Sequence, residues 1–377
     1  MNKWNLLVTW GFLISIQLNA QPSIDQNWNT TPHFIDNFTP PRSNWENVNW
    51  MDVPNDNKWK AHLSGTVTHG TFERQVYQKE NAIFNSDGTI RLRAEYAGGL
   101  IDTSAYSVPQ GMTKNPNDGP LYYKSGALCV GLTGFQKFLY GYFEIKCKLP
   151  VNRGAFPAFW LWDSSAGNYR EIDIFEYSWP ITERIGNFGS SRYFEGQIYY
   201  YNGARPSDDA DLTYGRHGYA IPSSNTDLTN WHTYGMEWSP RRVLFYFDNN
   251  LVGSYIGDSI PSLSMNLVVN NAVDNYATPN GVPLTTGYPN EMIIDYVKVN
   301  KLKCACSTNA AVQNNTQLSS FDYKVYNTIT IGGYGNDINI PSNSCVSFRA
   351  TNTITINGNF TLPLGSSLNL ITHACPQ

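Results

Sequence analysis

This sequence is short of charge. Only 15% of its 377 residues are Asp, Glu, Lys or Arg, against a usual ~25%. The balance is slightly acidic, at −4. No basic run is present, which argues against a nucleic-acid partner and against long-range attraction of anionic polymers. Helical periodicity is missing too: no long stretch carries a 3.6-residue apolar repeat. Apolar residues run together only from Leu6 to Ile16, too short to cross a bilayer as a helix. Neither a Ser-His-Asp order around a nucleophile elbow nor a phosphate-binding loop occurs. His33, His62, His69, His217 and His373 show no metal-ligand spacing.

What is abundant is aromatic: 24 Tyr, 18 Phe and 11 Trp, with 30 Gly and 21 Pro. Few charges and many turn-formers suit an all-β protein. The aromatic excess suits either sugar stacking or the filling of a large core. Short alternating runs recur, at Thr89–Glu95, Phe143–Leu149, Val243–Phe247 and Ile293–Val299, and they predict a sandwich or jelly roll. Residues 1–20 read as a secretory signal peptide cleaved after Ala20, so an extracellular, soluble monomer without a membrane span is expected. Export permits disulfides. Cys129 and Cys147 fall on runs that look like neighbouring antiparallel strands, and they either pair or are two buried apolar residues. Cys304, Cys306, Cys345 and Cys375 predict at least one further disulfide.

Residues 303–320 are small and polar and read as a linker. Beyond them the texture changes. Asn327-Thr-Ile-Thr-Ile331 returns as Asn352-Thr-Ile-Thr-Ile356, as stacked β units would. The expected organisation is therefore a signal peptide (1–20), a β-jelly-roll domain (21–302), a linker (303–320) and a small β-rich module (321–377).

One segment carries chemistry: Arg170-Glu171-Ile172-Asp173-Ile174-Phe175-Glu176-Tyr177. Side chains alternate along a strand, so Glu171 and Asp173 share a face, while Glu176 should point the other way. A β-bulge at Ile174-Phe175 would return Glu176 to the first face. A row of like charges is a poor stability device. Two carboxyl groups held at different pKa values are, however, what glycoside hydrolysis requires.

Glu-Ile-Asp-Ile-Phe-Glu resembles the Glu-x-Asp-x-x-Glu signature of glycoside hydrolase family 16, jelly-roll enzymes (concanavalin A-like) that cut β-linked polysaccharides with retention. The similarity covers roughly residues 120–300 in order. Ala155–Trp162 resembles the family's Trp-Pro-Ala-Phe-Trp segment, with Phe156 replacing the first Trp. Tyr123-Lys-Ser-Gly126, Tyr140–Glu144 and Met265–Asn270 also have family counterparts. So does Trp231–Pro240, a strand the family uses structurally, which assigns His232 and Glu237 to scaffold.

The resemblance implies Glu171 as nucleophile, Asp173 as its electrostatic helper and Glu176 as general acid/base. It places Trp160 beside the sugar at the cleavage point. Trp162, Tyr177, Trp179, Tyr199 and Asn266 are further substrate-binding candidates, with Tyr177 and Trp179 on the cleft rim. At Gln197–Asn202 the chain carries Tyr and Gln where many glucan-cutting members have His. No cofactor is implied for catalysis. Asp295 matches a position some relatives use for a structural calcium, and a plain salt bridge is the alternative.

The expected function is hydrolysis of β-1,3- or mixed β-1,3/1,4-glucan by a secreted endo-enzyme. The alternatives are a galactan such as agar, porphyran or carrageenan, or a sugar-binding protein without catalysis. Arg170 before Glu171 also occurs in agar-cutting relatives. Retention requires carboxyls ~5–5.5 Å apart, whereas same-face strand neighbours stand nearer ~7 Å, so the bulge must make the outer acids converge.

Overall fold

The structure is a computed structural model. It describes residues 28, 31–39, 59–61, 66–67, 72–107, 119–130, 137–163, 170–177, 193–200, 219–220, 226–239, 242–256, 260–301, 305–313, 325–333, 337–340, 342 and 345–372. For 193–200 and 219–220 it is the backbone path that is described.

Two largely antiparallel sheets face each other. The first, here the acid sheet, runs in the order Tyr219–Ala220, Tyr193–Tyr200, Arg170–Glu176, Ala155–Asp163, Asn266–Val273, Ala127–Val130, Lys60–Ala61. The opposite sheet is centred on His232–Ser239, Gly141–Lys148, Asn290–Asn300 and Ile90–Tyr96. Alternation explains the two-layer arrangement. Phe159, Leu161, Ile172, Ile174 and Phe175 of the acid sheet join Phe143, Ile145, Met236 and Trp238 of its partner in one buried cluster. Phe175 meets Tyr234 across the sandwich at 4.7 Å between ring centroids. Each fully buried side chain of this size contributes roughly 1.5–3 kcal/mol.

The chain switches sheets between Tyr123–Ser125 and Ala127–Val130. The hinge is Gly126, where a Cβ would lie 2.4 Å from the Asn81 carbonyl oxygen. Only glycine permits so close an approach.

Two expectations are corrected here. Cys129 and Cys147 are buried thiols, not joined in a disulfide. They do not lie on neighbouring strands: Cys129 sits in the acid sheet beside Val268, and Cys147 in the opposite sheet beside His232. Residues 303–320 are not simply a linker, because Ala305–Val312 is a strand paired in parallel with Val325–Gly332. That parallel stack continues through Cys345–Asn357 to Ser367–Thr372. Within it the repeat lies on itself, Ile329 against Ile354 and Ile331 against Ile356. These strands have their own buried cluster, built on Val312, Ile329, Ile331, Val346 and Phe348. Cys306 is disulfide-bonded.

Candidate active site

The acid strand is bulged where the alternation required it. Against the Ala155–Asp163 strand, Glu171 stands opposite Trp162, Asp173 opposite Trp160 and Glu176 opposite Ala158. The register slips between Asp173 and Phe175, leaving Ile174 as the additional residue. Trp162, Trp160 and Ala158 are every second residue of a regular strand, so they share one face. The three acids therefore share it too. One carboxylate oxygen from each of Glu171, Asp173 and Glu176 lies within 4.8 Å of the others. That spacing is near the ~5–5.5 Å of retaining carboxyl pairs and well below the ~6.5–9.5 Å of inverting ones.

This face is turned away from the inter-sheet core. Trp160, Trp162 and Ala158 form a separate cluster with Cys129 and Val268, and the two indoles stand 6.3 Å apart. The acids are sunk into it: Asp173 is fully buried and Glu171 is 9% exposed, while Glu176 is half-buried. Three carboxylates this close disfavour one another's ionisation.

The next strand completes the floor. Asn266 pairs with Trp162 and Asn270 with Ala158. Asn266 Nδ2 donates to the Trp162 backbone carbonyl at 2.9 Å. Its buried Oδ1, like the buried Trp162 Nε1, has no hydrogen-bond partner among the described residues. An acceptor and a donor thus sit in the same strand-to-strand row as Glu171, suited to sugar hydroxyls. Trp160 Nε1 instead donates to Asn270 Oδ1 at 2.7 Å. Asn270 was not singled out by the sequence. Its only signal was parity with Asn266, four residues earlier on the same face.

Tyr177 is a correction. It was expected on the cleft rim, but it is fully buried within the inter-sheet core. Once the bulge has turned Glu176 outward, the following residue must turn inward. Tyr199 stands opposite Glu171 in backbone register, with its side chain outside the described residues. Trp179 also lies outside them. Arg170, opposite in parity to Glu171, is buried and donates to the Asp163 carboxylate, which Lys137 also meets at 3.0 Å. It is a scaffold ion pair.

The Asp295 carboxylate pairs with Lys146 Nζ at 2.7 Å, both side chains being partly exposed. Among the described residues, the acid trio is the one group of side chains spaced as metal ligands. His232 and Glu237 lie in the opposite sheet, His232 against Asp248 at 2.7 Å and Glu237 against Arg242 at 2.8 Å. No described helix is long and apolar enough to cross a membrane.

A converged carboxylate pair on the outer face of a jelly roll, floored by indoles, defines a carbohydrate-active β-sandwich. Comparison with known proteins makes the class specific. The model of glycosyl hydrolases family 16 matches residues 73–281, more than half of the 377, and the chain belongs to that family. It is similar to endo-1,3-1,4-beta-glycanase EglC of Rhizobium meliloti (strain 1021), 26% identical over 65% of this chain and 46% of EglC. It is also similar to a beta-glucanase of Rhodothermus marinus, 21% identical over 76% of this chain and 92% of that protein. The chain thus spans less than half of EglC's length. Among solved structures, its fold matches SCLam, a non-specific endo-beta-1,3(4)-glucanase. The TM-score is 0.51 at 21% identity, over 73% of this chain and 93% of that one.

Proposed function

We propose that this protein is a secreted, retaining endo-β-glycanase acting on β-1,3- or mixed β-1,3/1,4-glucan. One observation carries the reading: the bulge brings Glu171, Asp173 and Glu176 to within 4.8 Å on one face, beside Trp160 and Trp162. The EglC and Rhodothermus marinus relatives, one named for 1,3-1,4-β-linkages and the other for β-glucan, support the substrate class.

In the first step, a Glu171 oxygen attacks the anomeric carbon as the bond to the leaving oxygen breaks, and Glu176 gives that oxygen its proton. A glycosyl-enzyme ester results. In the second step, Glu176, now a carboxylate, takes a proton from water. The hydroxide oxygen bonds to the anomeric carbon and Glu171 leaves. Charge on Glu171 and Asp173 keeps the proton on Glu176 at the start, and esterification of Glu171 then eases its release. Asp173, fully buried between them, supplies a fixed negative charge beside the oxocarbenium-like transition state. Asn266 Oδ1 and Trp162 Nε1 bind hydroxyls of the sugar held over Glu171.

Glu171→Gln and Glu176→Gln should each abolish reducing-sugar release while the thermal unfolding transition stays cooperative. Azide added to Glu176→Ala should yield a β-glycosyl azide, separating the two roles. Laminarin, lichenan, agarose and carrageenan assayed side by side decide the polymer. Cleavage of the galactans alone would overturn the glucan assignment. Retained activity in either glutamine variant would overturn the mechanism.

A further inference from the structure

A buried chain of hydrogen bonds starts at the site and leaves it. Trp160 Nε1–H donates to Asn270 Oδ1 at 2.7 Å, and Asn270 Nδ2 donates to the Tyr77 hydroxyl oxygen at 3.2 Å. Tyr77 in turn donates to the Glu73 carboxylate and also accepts from the Gln75 amide. Gln75 Nε2 meets Glu73 Oε2 at 2.5 Å, and Gln75 Oε1 accepts the Val273 backbone N–H at 2.7 Å. Trp160, Asn270, Tyr77, Gln75 and Glu73 are all buried.

The direction of this relay is fixed at both ends. An indole can only donate and an ionised carboxylate can only accept. Asn270 must therefore present its oxygen to Trp160 and its amino group to Tyr77, whose single proton must go to Glu73. No other amide orientation satisfies every member. Glu73, Gln75 and Tyr77 alternate along an extended segment, so they share a face. That segment is tied to the end of the Asn266–Val273 strand through the Glu73–Asp274 bridge and the Arg74 N–H bond to the Val273 carbonyl.

We infer that Asn270, Tyr77 and Glu73 are positioning residues for Trp160, holding its indole in one orientation beside the three carboxylates. The inference rests on the reading of Trp160 as the platform of the reacting sugar. The relay lies on the outer face of the acid sheet, where Trp160 stands directly opposite Asp173. Ala158, Trp162, Cys129 and Val268 pack the indole on this face, and a hydrogen bond at its polar edge fixes its orientation within that cluster. Its only polar handle is Nε1–H, and Asn270 takes it. A platform displaced by ~1 Å from the reacting ring forfeits on the order of 10²-fold in rate.

The test pairs kinetics with a spectroscopic signature. The ¹H–¹⁵N indole resonance of Trp160, assigned by its loss in Trp160→Phe, is followed in ¹⁵N-tryptophan-labelled full-length protein. In Asn270→Ala and Tyr77→Phe the resonance should move. On laminarin or lichenan, kcat should fall about tenfold or more while KM changes less than about threefold, with the larger loss in Asn270→Ala. Tyr77→Phe keeps the ring and its packing, so it decides the matter if Asn270→Ala does not fold. An unmoved resonance overturns the inference, as does unchanged kcat with a moved resonance. Should the wild-type protein cleave no polysaccharide, the sugar-cleaving reading fails, and the resonance alone then supports or overturns the relay.

Discussion

Glu171→Gln should make this protein more stable while making it inactive. The carboxylate oxygens of Glu171, Asp173 and Glu176 lie within 4.8 Å of one another. Two full charges at that distance repel by about 0.9 kcal/mol at bulk-water dielectric and about 3.5 kcal/mol at an effective dielectric of 20. Solvent and neighbouring groups screen part of this, so a net gain of about 1 kcal/mol is expected. That corresponds to a rise in melting temperature of about 1–2 °C. The gain belongs to the ionised state. Below the ordinary carboxylate range, ~4, protonation discharges the wild-type trio as well, and the two proteins should melt together. As pH rises toward 7 their curves should separate. Differential scanning fluorimetry across that range, beside reducing-sugar release on laminarin, measures both effects. A melting temperature that drops in Glu171→Gln at neutral pH, or a difference that ignores pH, would refute mutual repulsion as the organising electrostatics. The trade of stability for activity is common at preorganised sites.

Other outcomes follow from burial and pairing. Tyr177→Ala should cost about 3–5 kcal/mol of stability, as loss of a large core ring does, whereas Tyr177→Phe should leave KM for glucan unchanged. A fall in affinity in the phenylalanine variant would return Tyr177 to the cleft. Cys129 and Cys147 should both resist a thiol reagent until the protein is denatured. They are buried, and burial pushes the Cys147 thiol well above its usual range, suppressing the reactive thiolate. Asp295→Asn should shift stability by no more than ~1 kcal/mol, since its ion pair with Lys146 is partly exposed. A chelator should leave the wild-type melting curve where it was, and a calcium-dependent shift abolished by Asp295→Asn would contradict the salt-bridge reading.

The acid strand was readable because two constraints met in it. Carboxylates on alternate positions cannot face a core, and apolar residues between them cannot face water, so the strand's orientation followed from the pattern alone. The need for an extra residue near Ile174 followed from the odd spacing of Glu176. Tyr177 faces the core because parity reverses across the bulge: with Glu176 turned outward, its neighbour turns inward. The pairing suggested for Cys129 and Cys147 failed for a different reason. Runs that neighbour each other in sequence belong to different sheets here, and the switch of sheets at Gly126 depends on a backbone contact with Asn81 that no local pattern announces. Ala305–Val312 escaped notice because its small polar side chains carry little strand preference. What makes it a strand is the parallel neighbour at Val325–Gly332. The two hydrogen bonds that tie Trp160 to Asn270 and Asn270 to Tyr77 join residues 110 and 193 positions apart, and such convergence exists only in the folded chain.

From Arg170 to Tyr177, every side chain already has a task. Odd positions up to the kink address chemistry, even ones brace the layers, and the inserted isoleucine converts one parity into the other. Such a strand has no idle site at which selection could experiment. New polymer preferences must therefore arise in the segments that border the sheet, while the ribbon beneath them stays fixed.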